Sequence, residues 1–556
     1  MDERDQRAGV ESLLAEYAGP GLGRRELFKR AAALGLSIPA TAALLASLAP
    51  RVAAQAEPRT GGRFTWGYDR DFTKMDPVAS GWADPGYNAL YEYTMIRDPE
   101  TGLPVPMLAE SWDISDDGAT WRLTIREGIT FQSGAPATAE VVAANFNVFR
   151  DPELGQNAIF WATVTDVTAE DNTVVVTASR PFAAFPETLA TEYSMIYNPV
   201  AREEAGGQFG ATTADGTGPF TLTEFTPGNQ VLMTRWDGYH GSNVEFVENK
   251  GPAYLDELRW VPIMESGNRA IEIESGNVDV VTNPGGQDVD RLKANPDLVV
   301  VEFPNPANVF LSLDHQNTEL GFDDLRVRQA ISHAIDREGI VQAVYFGHAV
   351  PTYGPIASNW KWYEPGVEEF NQYDPDQARA LLDEAGWAEG TDGIREKDGV
   401  RLSWTNVNFG TQPFDRPIVE IIAENLREIG AEMTSEHLEL AAFAEARSAG
   451  PPSFSMEWLW SSPMDVLIIF GKIIPNAAYN GDNADLNAAF DAWQSAATDE
   501  ELQAAASQAQ LIWAEQLTKI PVVTSNAVWV NRTNVHGFLP SQTMLYPLFN
   551  DIWIEQ

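Results

Sequence analysis

The segment from Met107 to Arg150 constrains the fold more strongly than any other part of the chain. Residues 110–114 and 120–125 alternate polar and apolar side chains, which is typical of strands with one buried face. Residues 115–118, Ser-Asp-Asp-Gly, predict a turn between them, because glycine tolerates the positive φ angle that many turns need. The segment therefore predicts strands joined by turns and followed by a helix.

Thr138 is placed to cap that helix. The apolar side of the helix has residues four and three positions apart, namely Val142, Phe146 and Phe149. This pattern alone suits any unit of strands followed by a helix. The residues are more specific: LAESWDISDDGATWRLTIREGITFQSGAPATAEVV, residues 108–142, resembles the signature of the extracytoplasmic solute-binding proteins of ABC importers, family 5, whose members bind peptides, nickel or oligosaccharides.

Further segments resemble the same family. They are Gly61–Tyr68 with Met75–Pro77, Gly216–Phe220 (GTGPF), Asp323–Val344, Asn371–Trp387 and Leu511–Val530. The resemblance runs from about residue 61 to residue 538, and so covers nearly the whole chain after its N-terminal region.

The resemblance implies an α/β fold, namely the two-lobed periplasmic-binding-protein (Venus-flytrap) fold with an additional β-rich inserted domain. A chain of 556 residues is also longer than a single core of roughly 100–200 residues allows. Residues 164–178 alternate about a central turn and predict a hairpin of the inserted domain. The expected order is an export signal (1–56), lobe I (57–85), inserted domain II (86–212), lobe I again (213–305), lobe III (306–520) and a C-terminal part of lobe I (521–556).

The net charge of −43 excludes some classes of partner. So acidic a surface repels nucleic-acid phosphates and anionic membranes. We interpret the charge as a solvated acidic surface, with cation binding as the alternative. The chain has no cysteine, which excludes disulfides, zinc–thiolate sites, iron–sulfur clusters, a cysteine nucleophile and a lipidated N-terminal cysteine.

No catalytic motif is present in the sequence. It lacks the metalloprotease, serine-hydrolase, phosphate-loop and dinucleotide-binding patterns. The six histidines are scattered without the spacing of metal ligands. With 80 acidic residues some pair of carboxylates must exist, but the sequence does not show that any pair converges. We therefore predict a protein that is not an enzyme and that needs no cofactor and no metal.

The N-terminal region, residues 1–56, has the layout of an export signal. Arg24 and Arg25, which resemble a twin-arginine signal, precede an uncharged, alanine-rich run over residues 31–49. We expect cleavage after Ala56 and a periplasmic or extracytoplasmic location. The alternative is an uncleaved membrane anchor, since the run is about long enough to span ~30 Å of hydrocarbon.

The segment Asp323–Val344 predicts a helix with one apolar face, formed by Val327, Ala330, Ile331, Ala334 and Ile335. His333 lies beside this face and is expected to pack rather than to bind a ligand. The segment also carries Arg326, Arg328 and Arg337. We expect these arginines to form structural salt bridges, with an anion site as the alternative.

The ligand site is predicted in Met456–Gly471, MEWLWSSPMDVLIIFG, where this chain departs from the family pattern. The resemblance implies that this region follows a strand and lines the cleft. In peptide-binding members it carries an aspartate that pairs with the terminal amine of the ligand. Here that position falls near residues 461–462, which are serines, and the nearest acid is Asp465.

Trp458 and Trp460 are two positions apart in the same region, so both side chains face one side of a strand. They are either flat walls for an apolar or sugar-like ligand or part of the sheet core. Further aromatic candidates are placed by analogy with the ends of strands in such lobes. The predicted ligand-binding residues are therefore Tyr68, Trp82, Phe409, Trp458, Trp460 and Asp465.

The resemblance implies a substrate-binding receptor of an ABC importer. It would capture a peptide-like or other small organic solute between two closing lobes and deliver it to the transmembrane subunits of the permease. An oligosaccharide is the alternative ligand within the family. A secreted hydrolase and a peptide-presenting chaperone are the alternatives from other classes. We expect a monomer that binds no nucleic acid and meets the membrane only through the transporter or an uncleaved signal.

Overall fold

The computed structural model of the chain describes residues 57–72, 74–79, 84–305, 307–409, 415–459, 483–542, 544 and 546–555, with the backbone alone for residues 415, 440 and 456–459. From Arg59 onward the described residues belong to one compact unit. The predicted export signal lies outside them. No helix in these ranges is both long and apolar enough to cross a membrane.

The strands supply both lobes and the inserted domain. In chain order they are β1 (Arg63–Tyr68), β2 (Met95–Arg97), β3 (Pro104–Pro106), β4 (Ala109–Ile114), β5 (Thr120–Ile125), β6 (Val164–Glu170), β7 (Thr173–Ala178), β8 (Phe220–Thr226), β9 (Gln230–Arg235), β10 (Glu257–Pro262), β11 (Val280–Thr282), β12 (Leu298–Pro304), β13 (Ala307–Leu313), β14 (Ala349–Pro351), β15 (Ala388–Glu389), β16 (Arg395–Lys397), β17 (Val400–Arg401), β18 (Ser403–Phe409), β19 (Glu432–Leu438), β20 (Ser453–Leu459), β21 (Ile520–Arg532), β22 (Val535–His536) and β23 (Trp553–Ile554).

The helices alternate with these strands. They are α1 (Tyr87–Leu90), α2 (Ala139–Phe149), α3 (Phe185–Leu189), α4 (Pro199–Ala205), α5 (Ser266–Glu274), α6 (Gly286–Lys293), α7 (Leu325–Ala334), α8 (Arg337–Tyr345), α9 (Pro375–Glu384), α10 (Asp415–Glu428), α11 (Leu440–Ser448), α12 (Ala484–Gln494) and α13 (Asp499–Gln516).

One large sheet runs through the described residues in the order β19-β18-β20-β13-β21-β11-β1-β10-β9-β8. Its long strand β21 has two different sets of neighbours. Residues 520–525 pair with β13 and β14, whereas residues 526–532 pair with β11 and β12. The strand β21 therefore joins the strands of lobe I (β1 and β8–β12) to those of lobe III (β13, β14 and β18–β20). The residue boundaries predicted for the lobes stay a prediction.

Parallel strands organise lobe I. Its strand β1 lies parallel to both β10 and β11. The aromatic side chains of β1 are buried, and Trp66 packs edge-on against Trp529 of β21 with ring centroids 5.3 Å apart. Because parallel strands end at the same edge of a sheet, the residues that follow β1 and β11 are brought together there.

The inserted domain folds as its sequence pattern predicts. Its antiparallel sheet has the order β4-β5-β7-β6, and β6 and β7 form the predicted hairpin. The helix α2 begins directly after Thr138 and buries the predicted apolar side. Phe146 of this helix contacts Trp161 with ring centroids 4.8 Å apart. This sheet and helix confirm the β-rich inserted domain.

The Gly-Thr-Gly-Pro-Phe segment packs against the backbone of α1. A Cβ atom on Gly216 would lie 2.0 Å from the carbonyl oxygen of Leu90, and one on Gly218 would lie 2.5 Å from that of Ala89. The Gly218 N–H donates to the Leu90 oxygen at 2.9 Å. Glycine is needed at both positions, because any side chain would prevent this close approach of two backbones.

The segment Asp323–Val344 differs from the single predicted helix. It forms α7 and α8, since Ile335 is extended and the side chain of Asp336 accepts a hydrogen bond from the Gly339 N–H at the start of α8. The five predicted apolar residues are buried. His333 is half-buried, with Nδ1 2.5 Å from the carbonyl oxygen of Gln372.

The salt-bridge prediction for the arginines of this segment is confirmed for one residue and wrong for two. Arg326 pairs with Asp324 at 2.6 Å. Arg328 and Arg337 are buried, and within the described residues their guanidinium groups donate to main-chain carbonyls and to the Ser332 hydroxyl, not to carboxylates. The apolar pattern predicts which helix face is buried, but it does not reveal which polar residues accompany that face inside.

Candidate ligand-binding site

A cavity of about 530 Å³ lies between lobe I and lobe III. Lobe I contributes the residues after β1 and β11 together with the start of α6. Lobe III contributes the end of α8, the end of β18 and the start of α10. The volume falls within the range of about 300–1,000 Å³ that is usual for small-molecule sites. Its position beyond the carboxyl ends of parallel strands is where open α/β sheets bind ligands.

Asn283 organises the lobe I wall. It has a φ angle of 50°, a left-handed conformation that asparagine tolerates better than most residues. Its backbone N–H donates to the carbonyl oxygen of Val528 at 2.7 Å, and its side-chain oxygen accepts from the Val528 N–H at 3.2 Å. Its Nδ2 donates to Asp69 Oδ2 at 2.7 Å. This one residue therefore connects the ends of β1 and β11 to the middle of β21.

Arg269 of α5 lines the same cavity and supports the backbone of its lobe I wall. Its guanidinium group donates to the carbonyl oxygens of Ile263, Met264 and Asn283 at distances of 2.6–3.2 Å. The residue is 5% exposed, and burial lowers its pKa from the ordinary arginine value. With its donors engaged by backbone oxygens, Arg269 positions the wall rather than offering a free cation to a ligand.

Asp69 and Arg70 directly follow β1 and line the cavity. Arg70 Nε lies 3.2 Å from Asp69 Oδ1, and the side chain of Arg70 is 37% exposed. Burial by itself raises the pKa of Asp69, but the charges of Arg70 and Arg269 and the hydrogen bond from Asn283 outweigh that effect and lower it. Asp69 is therefore ionised at neutral pH.

The lobe III wall is held to lobe I by a polar network. His348 follows α8, and its Nδ1 lies 2.9 Å from Glu302 Oε1 of β12. The same carboxylate accepts from Lys293 Nζ at 2.5 Å and from Asn526 Nδ2 at 2.6 Å. On its other side, His348 Nε2 is 3.7 Å from Asp290 of α6. The network therefore spans the junction beside the cavity.

Two of the predicted site residues can be located by their side chains. Phe409 lines the cavity and packs against Phe443, with ring centroids 5.6 Å apart. Tyr68 lies beneath the wall, 1% exposed, with its hydroxyl 2.9 Å from that of Tyr546 and donating to Asp84 at 3.2 Å. Burial raises the pKa of Tyr68, so this hydroxyl stays protonated.

For the other four predicted residues, the described part of the structure gives no side-chain position. Trp458 lies in β20 opposite Asn308 of β13, with only its backbone described. Trp82, Trp460 and Asp465 lie outside the described residues. That the six residues together form the ligand site therefore stays a prediction.

Sequence reasoning missed the polar residues of the lobe I wall, which are Asp69, Arg70, Arg269 and Asn283. A signal existed for the first two, because they follow immediately after Tyr68 at the end of a strand. The other two give no such sign, since Asn283 depends on the distant Asp69 and Val528, and Arg269 depends on how the backbone folds around its guanidinium group. Within the described ranges no cluster of three or more histidine, aspartate and glutamate side chains is arranged to hold a metal ion.

Glutathione-binding proteins are among the curated relatives of this chain. The glutathione-binding protein GsiB of Salmonella paratyphi A is 27% identical over 329 residues, which cover 58% of this chain and 59% of that protein. GsiB of Escherichia coli K12 is 26% identical over 367 residues, covering 65% and 66%. The chain therefore matches less than two thirds of the length of these relatives.

Solved structures match more of the chain. The oligopeptide-binding protein AppA of Bacillus subtilis, in complex with a nonapeptide, has a TM-score of 0.75 and 21% identity and covers 90% of this chain and 100% of its own. NikA of Brucella suis, in complex with Fe(III)-EDTA, has the same TM-score and identity and covers 89% and 100%. These likenesses establish the two-lobed α/β fold.

The family itself is identified by sequence. Residues 104–472 match the family described as "Bacterial extracellular solute-binding proteins, family 5 Middle". The match takes in the inserted domain, the second part of lobe I and much of lobe III, more than half of the chain. The chain belongs to the bacterial extracellular solute-binding proteins of family 5.

Proposed function

We propose that this protein is the extracytoplasmic receptor of an ABC importer. It captures a peptide-like or other small organic solute between lobe I and lobe III and delivers it to the transmembrane subunits of the permease. It acts as a monomer, by binding and without catalysis. The twin-arginine signal in residues 1–56 exports it.

The observation that carries this proposal is the cavity of about 530 Å³ with walls from both lobes. A ligand that contacts both walls binds the closed form more tightly than the open form. The difference between these two affinities determines how far the ligand shifts the equilibrium towards the closed form. Because β21 pairs with strands of both lobes, it is the element through which the lobes rotate.

The relatives support a peptide-like ligand. Two of them are named for glutathione, a peptide, and one structural neighbour is an oligopeptide-binding protein in complex with a nonapeptide. The cavity wall also offers charged and amide side chains beside the aromatic Phe409, which suits a ligand with both polar and apolar parts.

We further propose that Tyr68, Trp82, Phe409, Trp458, Trp460 and Asp465 contribute to the site. Replacement of Trp458 or Trp460 by alanine is expected to weaken ligand binding at least about tenfold, which corresponds to ~1.4 kcal/mol, without loss of the fold. Isothermal titration calorimetry measures the affinity, and circular dichroism checks the fold. Unchanged affinity in both variants excludes these residues from the site.

Native mass spectrometry of the purified protein tests the function, because tightly bound ligands survive purification. A co-purified peptide, or calorimetric binding of glutathione or of members of a tripeptide library, is the expected result. Incubation of the protein with the same library should leave every peptide intact. Turnover of the peptides would instead identify a hydrolase, and binding of oligosaccharides alone would identify the other ligand class of the family.

A further inference from the structure

The charged side chains around the cavity differ in how many of their polar atoms contact other protein groups. Among the described residues, Asp69 is bound by Asn283 and Arg70, Arg269 donates to three carbonyl oxygens, and His348 lies against Glu302. Arg70 differs from all of these. Its Nε contacts Asp69, and for its two terminal nitrogens no protein partner is found in the described residues.

Arg70 is also held in place. Asp69 Oδ1 contacts the guanidinium group at Nε, 3.2 Å away, and the central carbon of the group lies 5.6 Å from the ring centroid of Tyr68. Tyr68 is itself buried and bonded to Tyr546, so it gives a rigid support. Arg70 thus presents a planar fork of N–H donors to the cavity with little freedom to lose on binding.

The charge balance of the wall points the same way. Among the described residues of lobe I that line the cavity, two are arginines and one is an aspartate. The chain as a whole has a net charge of −43. The start of α6 lines the same cavity, and its N-terminal end adds a partial positive charge. A local excess of positive charge inside so acidic a protein favours an anionic group at this position.

We propose that Arg70 binds a carboxylate of the ligand and so determines which solutes this receptor accepts. A guanidinium fork matches a carboxylate in a bidentate, charge-assisted pair. The inference rests on the proposed function, because it names the ligand group that the cavity of the receptor recognises. For a peptide-like solute, the carboxylate comes from the C-terminus or from an acidic side chain.

The full-length protein is titrated with a tripeptide library in three forms: free acids without acidic side chains, their C-terminal amides, and C-terminal amides that contain glutamate. Carboxylate-bearing forms are expected to bind at least about tenfold more tightly than the amides without glutamate. The form that binds best tells whether the C-terminus or a side chain supplies the carboxylate.

Variants then assign this preference to Arg70. Arg70→Gln is expected to reduce it to less than about twofold, and Arg70→Lys to retain part of it, since lysine keeps the charge but not the fork. Arg122→Gln is the matched control, because Arg122 is 46% exposed and pairs with Glu170 on the inserted domain. The control should keep the preference of the wild type.

Equal binding of acids and amides by the wild-type protein overturns this inference alone, as does a full preference in Arg70→Gln. The comparison of acids with amides in the wild-type protein remains valid even if a variant fails to fold. Absence of binding for every peptide form overturns the proposed peptide-like ligand, and the inference with it.

Discussion

Buried arginines organise the backbone of both lobes. Arg269 donates to three carbonyl oxygens in the lobe I wall. Arg337 does the same in lobe III, where it donates to the carbonyl oxygens of Ser332, Thr352, Asn371 and Pro521. Burial lowers the pKa of Arg337 to about 10, which still leaves it charged at neutral pH, so each of these bonds is charge-assisted.

Replacing Arg337 by methionine should lower the stability of the protein by about 3 kcal/mol or more. The change leaves several buried carbonyl oxygens without a donor, and each of them costs roughly 1–3 kcal/mol. Urea denaturation followed by tryptophan fluorescence measures the effect. Arg326→Met is the control, because Arg326 is 46% exposed and its salt bridge is worth less than about 1 kcal/mol. Equal denaturation midpoints for the two variants would contradict the role assigned to Arg337.

Single residues also show what the sequence leaves hidden. The spacing of Val142, Phe146 and Phe149 predicts a buried helix face correctly, because that property depends on neighbours within the helix. Asn283 owes its role to hydrogen bonds with Asp69 and Val528, which lie far away along the chain. Arg269 owes its role to the carbonyl oxygens of Ile263, Met264 and Asn283, which the folded backbone brings around it. No local pattern carries that information, and for this reason these two residues of the polar wall were not predicted.

Secondary-structure elements were predictable where alternation or turn chemistry is strong. The hairpin of β6 and β7 has its turn at Asp171, which adopts a φ angle of 53°. The strand β21 was predicted as a strand, but its pairing with both lobes was not. Alternation within a strand tells which face is buried, whereas the choice of neighbouring strands depends on the topology of the whole sheet.

The strand β12 carries Glu302, the centre of the polar network between the lobes. Burial alone raises the pKa of Glu302, but hydrogen bonds from Lys293, Asn526 and His348 outweigh it, so the pKa lies below its ordinary value of 4.5. The folded protein therefore binds this proton less readily than the unfolded chain. The stabilisation from the network is present above about pH 4.5 and is lost as the pH falls through the lowered pKa.

Glu302→Gln should lower the melting temperature at neutral pH and have a diminishing effect as the pH falls below 4.5. The expected cost at neutral pH is about 1 kcal/mol or more, since charge-assisted hydrogen bonds are lost. Thermal unfolding of wild type and variant between pH 3 and pH 8 measures this difference. Glu170→Gln, at an exposed pair on the inserted domain, is the control. A melting difference independent of pH would contradict this account of the network.

In the whole molecule, the segment that identifies the family and the cavity proposed to bind the ligand lie in different domains. The stretch 108–142 identifies the family, and it folds into the inserted domain with α2 packed on its sheet. The described cavity is built by lobes I and III instead. The fold was therefore predictable from sequence signatures, whereas the cavity wall needed the assembled strands β1, β11 and β21.

Closure of the two lobes around a ligand is the central claim, and the absence of cysteine makes it directly measurable. Ser275→Cys beside α5 and Glu420→Cys on α10 place spin labels at exposed positions of lobe I and lobe III. Electron–electron double resonance then reports the distance between the labels with and without the ligand that co-purifies with the protein. We predict a shorter and narrower distance distribution at saturation. An unchanged distribution, with saturation verified by calorimetry, would contradict ligand-driven closure.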